Sequence, residues 1–156
     1  MKKYYSIILF YFLASFSMAQ NKNNDNLYGF SIGYMNQAGS FGKFGLFYII
    51  ASDTFLTTKI DANANMAHMR DKFRLIPEIG ITGYLSTNDS SFFYPFIESE
   101  FTPYTITPKF GFTLLTIIDY SVGYGFMINE KNQFKPIKGF QFSVSLNFPL
   151  NFDFKF

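Results

Sequence analysis

Nine ionisable side chains stand on the polar side of an apolar alternation, and no other set in this 156-residue chain is better arranged to do chemistry. They are Lys43, Lys59, Asp61, Arg74, Glu78, Glu98, Glu100, Lys109 and Asp119. Four bases and five acids on one face can neutralise one another if that face is withdrawn from water, because buried charges persist only when paired and hydrogen-bonded. Glu98 and Glu100 stand two apart and therefore point the same way from a strand. The set supports either an ion site in a narrow pore or a polar plug that holds a β-structure shut. Other chemistry is thinly represented. His68, the single histidine, falls in Met66-Ala67-His68-Met69-Arg70-Asp71 and is expected in a loop. A catalytic base needs an activated nucleophile within hydrogen-bond reach, and no Ser or Glu is marked out as its partner. The chain has no cysteine, which excludes disulfides, thiolate ligands and cysteine nucleophiles. One histidine is too few for a dedicated transition-metal site, and neither a glycine-rich phosphate loop nor a metalloprotease helix occurs. No catalytic residue, metal or cofactor is expected.

The elements that position the nine charges are strands, because apolar residues recur with a period of two. In the first strand Tyr28, Phe30, Ile32 and Tyr34 oppose Gly29, Ser31, Gly33 and Met35, and residues 36–39 turn the chain. The second sets Phe44, Leu46, Tyr48 and Ile50 against Lys43, Gly45 and Phe47. After a turn at 51–53 a third strand covers 54–65, with Lys59 and Asp61 on its polar side. A loop at 68–71 leads to a fourth strand at 72–85, where Arg74 and Glu78 oppose Phe73, Leu75, Ile79 and Ile81. Residues 86–91 form a turn. A fifth strand follows at 92–104, made irregular by Pro95 and Pro103. The stretch 110–128 is apolar at its even positions, Thr116 excepted. It is read as two strands joined by a short apolar turn near 115–118, because single-chain bacterial barrels normally have an even strand count. A loop at 129–133 precedes the last strand, 139–156, in which nine apolar residues alternate without error with nine small or polar ones.

Eight such strands point to an all-β fold, a closed antiparallel up-and-down transmembrane β-barrel. Residues 1–19 are expected to be a cleaved secretory signal peptide: Lys2 and Lys3 begin it, an apolar run covers 7–16, and Ser17-Met18-Ala19 offers small residues before the cut. Residues 20–26 form a polar lead and 27–156 the barrel. No later run is long enough for a helical span, so membrane insertion requires a closed barrel whose backbone groups pair between strands. Charged residues are only 15% of the chain against about a quarter in soluble proteins, and a scattered net charge of +2 gives no case for nucleic acid. Periodicity alone does not say which face is inside. The apolar face, drawn from 23 Phe and 11 Tyr, is too bulky for an eight-strand interior. The Gly-, Ser- and Thr-rich face with mixed charges suits a narrow lumen.

Export signal, eight amphipathic strands and a final strand ending Phe152-Asp153-Phe154-Lys155-Phe156 resemble the small OmpA/OmpX-type outer-membrane barrels. The Asn-, Phe- and Tyr-rich style, with Ile118-Asp119-Tyr120-Ser121-Val122-Gly123-Tyr124, is similar to barrel proteins of Bacteroidota. The resemblance implies the outer membrane of a Gram-negative envelope. It also implies outer-membrane lipids as surroundings, and insertion by the barrel-insertion machinery reading Phe152, Phe154 and Phe156. Trp is absent, so Tyr28, Tyr34, Tyr48, Tyr84, Tyr120 and Tyr124 are expected to supply the interface aromatics. The family has no common activity.

The function expected is that of a monomeric, non-enzymatic outer-membrane barrel with a structural or surface-interaction role, its lumen plugged by paired charges. Arg74 and Lys59 are expected to share the lumen with Glu98 and Glu100. The alternatives are a narrow pore and a soluble exported barrel binding an apolar ligand; a lipid-modifying activity centred on His68 is a remote third. Arg70, Lys72, Lys131, Lys135 and Lys138 are read as solvated rim charges, with lipid phosphates as the other reading. The last strand is too long for the membrane. Eighteen residues reach roughly 60 Å at about 3.3 Å each, against an apolar thickness of about 30 Å. Residues 147–156 are therefore expected to cross and 139–146 to rise above.

Overall fold

Two left-handed residues in succession settle the hardest stretch of the chain. Leu115 and Thr116 have φ of 53° and 56°, and the Ile117 amide donates to the Leu114 carbonyl at 3.0 Å. This is the mirror-image tight turn whose twist suits a hairpin, and it divides 110–128 into two strands. The structure, a computed structural model that describes residues 26–50, 56–69, 72–85, 93–129 and 137–151, has eight antiparallel strands. They are β1 (Leu27–Asn36), β2 (Ser40–Ile50), β3 (Leu56–Met69), β4 (Lys72–Leu85), β5 (Phe93–Phe101), β6 (Thr105–Leu114), β7 (Ile118–Met127) and β8 (Gly139–Pro149). Each pairs with its sequence neighbours, and β8 returns to β1 from Gly29↔Pro149 to Asn36↔Phe142, so the barrel closes in up-and-down order. Past that ladder the Leu150 amide donates to the Tyr28 carbonyl at 2.8 Å, and Asn151 Nδ2 to the Asn26 carbonyl at 2.7 Å.

The barrel has two unlike ends. The β1–β2, β3–β4, β5–β6 and β7–β8 connections lie at one, the turn end; the other, the termini end, carries the remaining connections and the outer ends of β1 and β8. Hairpin β3–β4 is paired along its whole length, whereas β4 meets β5 only from Ile79↔Phe101 to Tyr84↔Phe96. Pro77 stands in the stretch of β4 without a β5 partner, where its missing N–H costs no ladder bond there.

Inside, the barrel is layered. Met35, Phe41, Ala67, Met69, Ile76 and Ile137 pack into an apolar layer at the turn end, with Tyr104 against it. Phe47, Ile49, Tyr84, Phe96 and Ile117 are buried at the termini end. Glycine makes room for two of these rings: a Cβ on Gly29 or Gly111 would stand 2.8 Å from the Phe47 ring and 2.7 Å from the Phe96 ring. Eight of the nine charges lie between the two layers, and Arg74 stands beyond Ile76 toward the turn end.

Several boundaries differ from expectation. β3 continues to Met69, so His68 is an exposed residue of a strand opposite Phe73, not a loop residue. The weak strand formers of Asn63-Ala64-Asn65-Met66-Ala67 concealed this; the inward burial of Asn65, Ala67 and Met69 holds the strand. The expected fifth strand, 92–104, ends instead at Phe101. Thr102 Oγ1 accepts from the amides of Tyr104 and Thr105 at 3.2 and 2.9 Å, turning the chain so that β6 starts at Thr105. Tyr84 points into the lumen and supplies no outer aromatic. In the final strand the paired segment is Gly139–Pro149, with residues 139–146 on β7 and 142–149 on β1. Residues 1–25 and 152–156, with the expected signal segment and the terminal phenylalanines, lie outside the described residues.

Left-handed backbone costs an L-residue about 1–2 kcal/mol, and a β-branched residue is the poorest occupant. Leu115→Asn with Thr116→Gly is expected to raise stability by about 1–2 kcal/mol. Urea unfolding of refolded protein in detergent micelles measures it, with Ile117 retained as the inward plug.

Candidate functional site: the charged lumen

Every second residue of a strand faces the barrel interior, and seven of the nine expected charges are buried there together, with Glu98 half-buried beside them. Glu100 on β5 is the centre. Its Oε1 is shared by two ammoniums, Lys43 Nζ from β2 at 2.5 Å and Lys109 Nζ from β6, and its Oε2 accepts from Gln141 Nε2 on β8 at 2.9 Å. Lys43 also reaches Glu78 Oε1 on β4 at 2.6 Å, and Lys109 lies 3.7 Å from Glu98 Oε2. Glu78 is completed by Asn65 Nδ2 at 2.5 Å and Asn63 Nδ2 at 3.3 Å. Lys109 Nζ also donates to Ser143 Oγ at 3.0 Å, and the Ser143 and Ser121 hydroxyls lie 2.6 Å apart. The result is one alternating chain, Glu78–Lys43–Glu100–Lys109–Glu98, spanning four strands.

Asp119 on β7 anchors a second cluster. Its Oδ2 accepts from Lys59 Nζ at 2.8 Å, Asn147 Nδ2 at 2.8 Å and the Tyr84 hydroxyl at 3.2 Å. The Lys59 ammonium sits 5.6 Å from the centre of the Tyr84 ring, within reach of the cation–π attraction. Asp61 lies between the clusters with Asn63 Nδ2 on its Oδ1.

The grouping differs in detail from what alternation alone suggests. Lys59 pairs with Asp119, and the glutamates Glu98 and Glu100 are served by Lys109 and Lys43. Arg74 occupies an inward position of β4 opposite Ala67, half-exposed toward the turn end and apart from that glutamate cluster. Sequence reasoning missed the neutral half of the network: Asn63, Asn65, Gln141, Asn147 and Tyr84. Its signal was available, since Asn63 and Asn65 alternate with Ala62 and Ala64, and an amide recurring on a face of small residues is out of place unless it hydrogen-bonds.

Interior cavities among the described residues include one beside Asp61 and one that runs from Glu78 and Gln141 to Phe41 and Ile137 of the apolar layer, each with water-sized space of about 10 Å³, roughly enough for one water. The arrangement is chemically a filled interior that fixes eight strands to one another. Together, fold and site define an eight-stranded antiparallel β-barrel with a buried ionic core. Comparisons with protein-family models, curated proteins and solved structures find no match.

Breaking a buried pair from one side leaves an uncompensated charge, at a cost of about 3–5 kcal/mol, whereas replacing both partners by neutral groups is often close to neutral. Lys59→Met is therefore expected to lower stability by about 3 kcal/mol. Lys59→Met with Asp119→Asn should recover most of the loss. The pair of urea midpoints tests this; equal loss in both variants would mean that packing against Tyr84, not charge, supplies the stability.

Proposed function

We propose that this chain is a small outer-membrane barrel of structural or surface-interaction type, non-enzymatic and monomeric, akin to the OmpA/OmpX-type barrels. Outer-membrane lipids surround it in this reading, and the barrel-insertion machinery places it there. The observation that carries the proposal is the sidedness of the strands. Leu46, Phe110 and Phe140 are 62%, 66% and 68% exposed on the outer face, while Lys43 and Glu100 inside are 6% and 1% exposed. A soluble barrel with an apolar ligand site requires the opposite arrangement, with polar groups toward water and an apolar cavity within. Here an apolar outer surface surrounds a polar interior, the pattern a lipid environment selects.

Strand length supports the same reading. The strands are 9 to 14 residues long, and a tilted strand needs about 9–11 to cross the apolar layer. Exposed tyrosines stand toward both ends, Tyr28 and Tyr48 toward the termini and Tyr34 and Tyr124 toward the turns, as interfacial aromatic belts do. Lumen contents argue for a plug over a conduit, since the Glu78-to-Glu98 chain crosses the interior between two apolar layers.

Two measurements test the reading. The protein should fractionate with detergent-extractable membrane and show heat-dependent gel mobility; recovery in the soluble fraction without detergent overturns membrane residence. In planar bilayers the refolded protein should give no stable openings. Discrete openings that change in Glu98→Ala would replace the plug with a narrow pore.

A further inference from the structure

Lumen charges do not balance: five acids face three lysines, with one excess charge shared along the glutamate chain and the other standing alone at Asp61. Lys43 and Lys109 serve three glutamates, and Lys59 is matched by Asp119. Asp61 is 5% exposed, and among the described residues no Lys or Arg nitrogen lies within 4 Å of it. Its Oδ1 accepts from Asn63, and its Oδ2 has no hydrogen-bond partner in the protein. An ionised carboxylate in such a place is costly unless something positive reaches it.

The space beside it is built from oxygen. Ser31, Asp61, Asn63, Asp119, Ser145 and Asn147 line one cavity of the lumen. Asn147 is 1% exposed, and its orientation is set by the Nδ2 bond to Asp119, which leaves Oδ1 as a second acceptor without a partner. Asp119 Oδ1 is a third. The unpartnered hydroxyl of Thr113, opposite Asp119 across β6–β7, would serve that atom by rotation, which still leaves Asp61 and Asn147. A water molecule has two hydrogens and satisfies two acceptors, but it brings no charge.

We propose that this cavity binds a single hard monovalent cation, with Na+ the best fit, held by Asp61 and Asn147 with the neighbouring serine hydroxyls. Oxygen-only ligands favour hard cations. The room is that of about one water. Valence follows from the neighbours: of the four carboxylates on the cavity, Glu98 and Glu100 are held by Lys43 and Lys109 and Asp119 by Lys59, which leaves the single charge of Asp61 to be matched there. No cluster of three or more acidic or histidine ligands forms among the described residues, which sets this site apart from a divalent one.

Residues of β1, β3, β7 and β8 build the cavity, so the site forms only as the barrel folds. The test is therefore refolding of the full mature chain in detergent micelles, in NaCl, KCl, CaCl2 or choline chloride at matched ionic strength. Once binding is saturating, each tenfold rise in Na+ should increase the folding equilibrium constant about tenfold, with choline chloride giving no such rise. Asp61→Asn should abolish the dependence. Equal stability in Na+ and choline overturns the site, as does an Asp61→Asn protein that keeps the dependence; a larger response to Ca2+ overturns the valence. If Asp61→Asn does not fold, crystals of the unaltered protein grown in NaCl and in choline chloride decide the matter. A density peak between Asp61 and Asn147 that is present in NaCl and lost in choline chloride supports the proposal, and no difference there overturns it. These readouts need only the folded barrel, so their failure is distinct from failure of the outer-membrane reading, which fractionation tests.

Discussion

One carboxylate shared by two ammoniums organises the interior of this barrel. Glu100 joins Lys43 of β2 to Lys109 of β6 and takes Gln141 of β8 as well, so a single side chain of β5 couples strands on several sides of the cylinder. Charged groups this deeply buried tolerate little displacement, because losing a partner leaves a desolvated ion. Ladder hydrogen bonds fix each strand to its neighbours only. The ionic chain adds restraint across the lumen, where the ladder supplies none.

Inward charge dictates the rest of the chemistry. With the polar residues turned to the axis, the alternation sends Ile, Leu and Phe outward on every strand, and the outer surface becomes apolar all round. Stacked pairs such as Phe30–Phe148 and Phe93–Phe112, with ring centres 5.0 and 4.7 Å apart, lie between adjacent strands. They are cross-strand contacts of the kind that stabilise sheets. They leave most of the apolar band uncovered, which is why the proposed lipid surroundings follow from sidedness more than from any single residue.

Faces were legible in the sequence, and partners were not. Alternation assigned Lys43, Lys59, Asp61, Glu78, Glu98, Glu100, Lys109 and Asp119 to one side, and the structure turns all eight inward, seven of them buried and Glu98 half-buried. It did not say that Glu98 meets Lys109, because that depends on β5–β6 register, which places them directly opposite. Register in turn depends on where β5 ends. The expected strand runs on past Pro103 to residue 104, while the turn is made by a Thr102 hydroxyl capturing two amides, a local bond that periodicity does not record. The apolar turn near 115–118 was placed by the even-strand rule, since Leu115 and Thr116 carry none of the usual hairpin chemistry.

Where the alternation fails is as informative as where it holds. Leu46-Phe47-Tyr48-Ile49-Ile50 and Leu75-Ile76 put apolar residues on both faces at strand ends. Read as strand noise, these runs carry no message. In the barrel the inward members, Phe47, Ile49 and Ile76, form parts of the two apolar layers. The layers keep bulk water from the ion pairs and so strengthen each of them, since attraction between charges rises as the local dielectric falls. They also raise the penalty for any charge left unmatched, and Asp61 is the residue on which that penalty falls. An over-acidic lumen between apolar layers is the setting in which the proposed cation matters, which ties the breaks in the alternation to the oxygen-lined cavity beside Asp61.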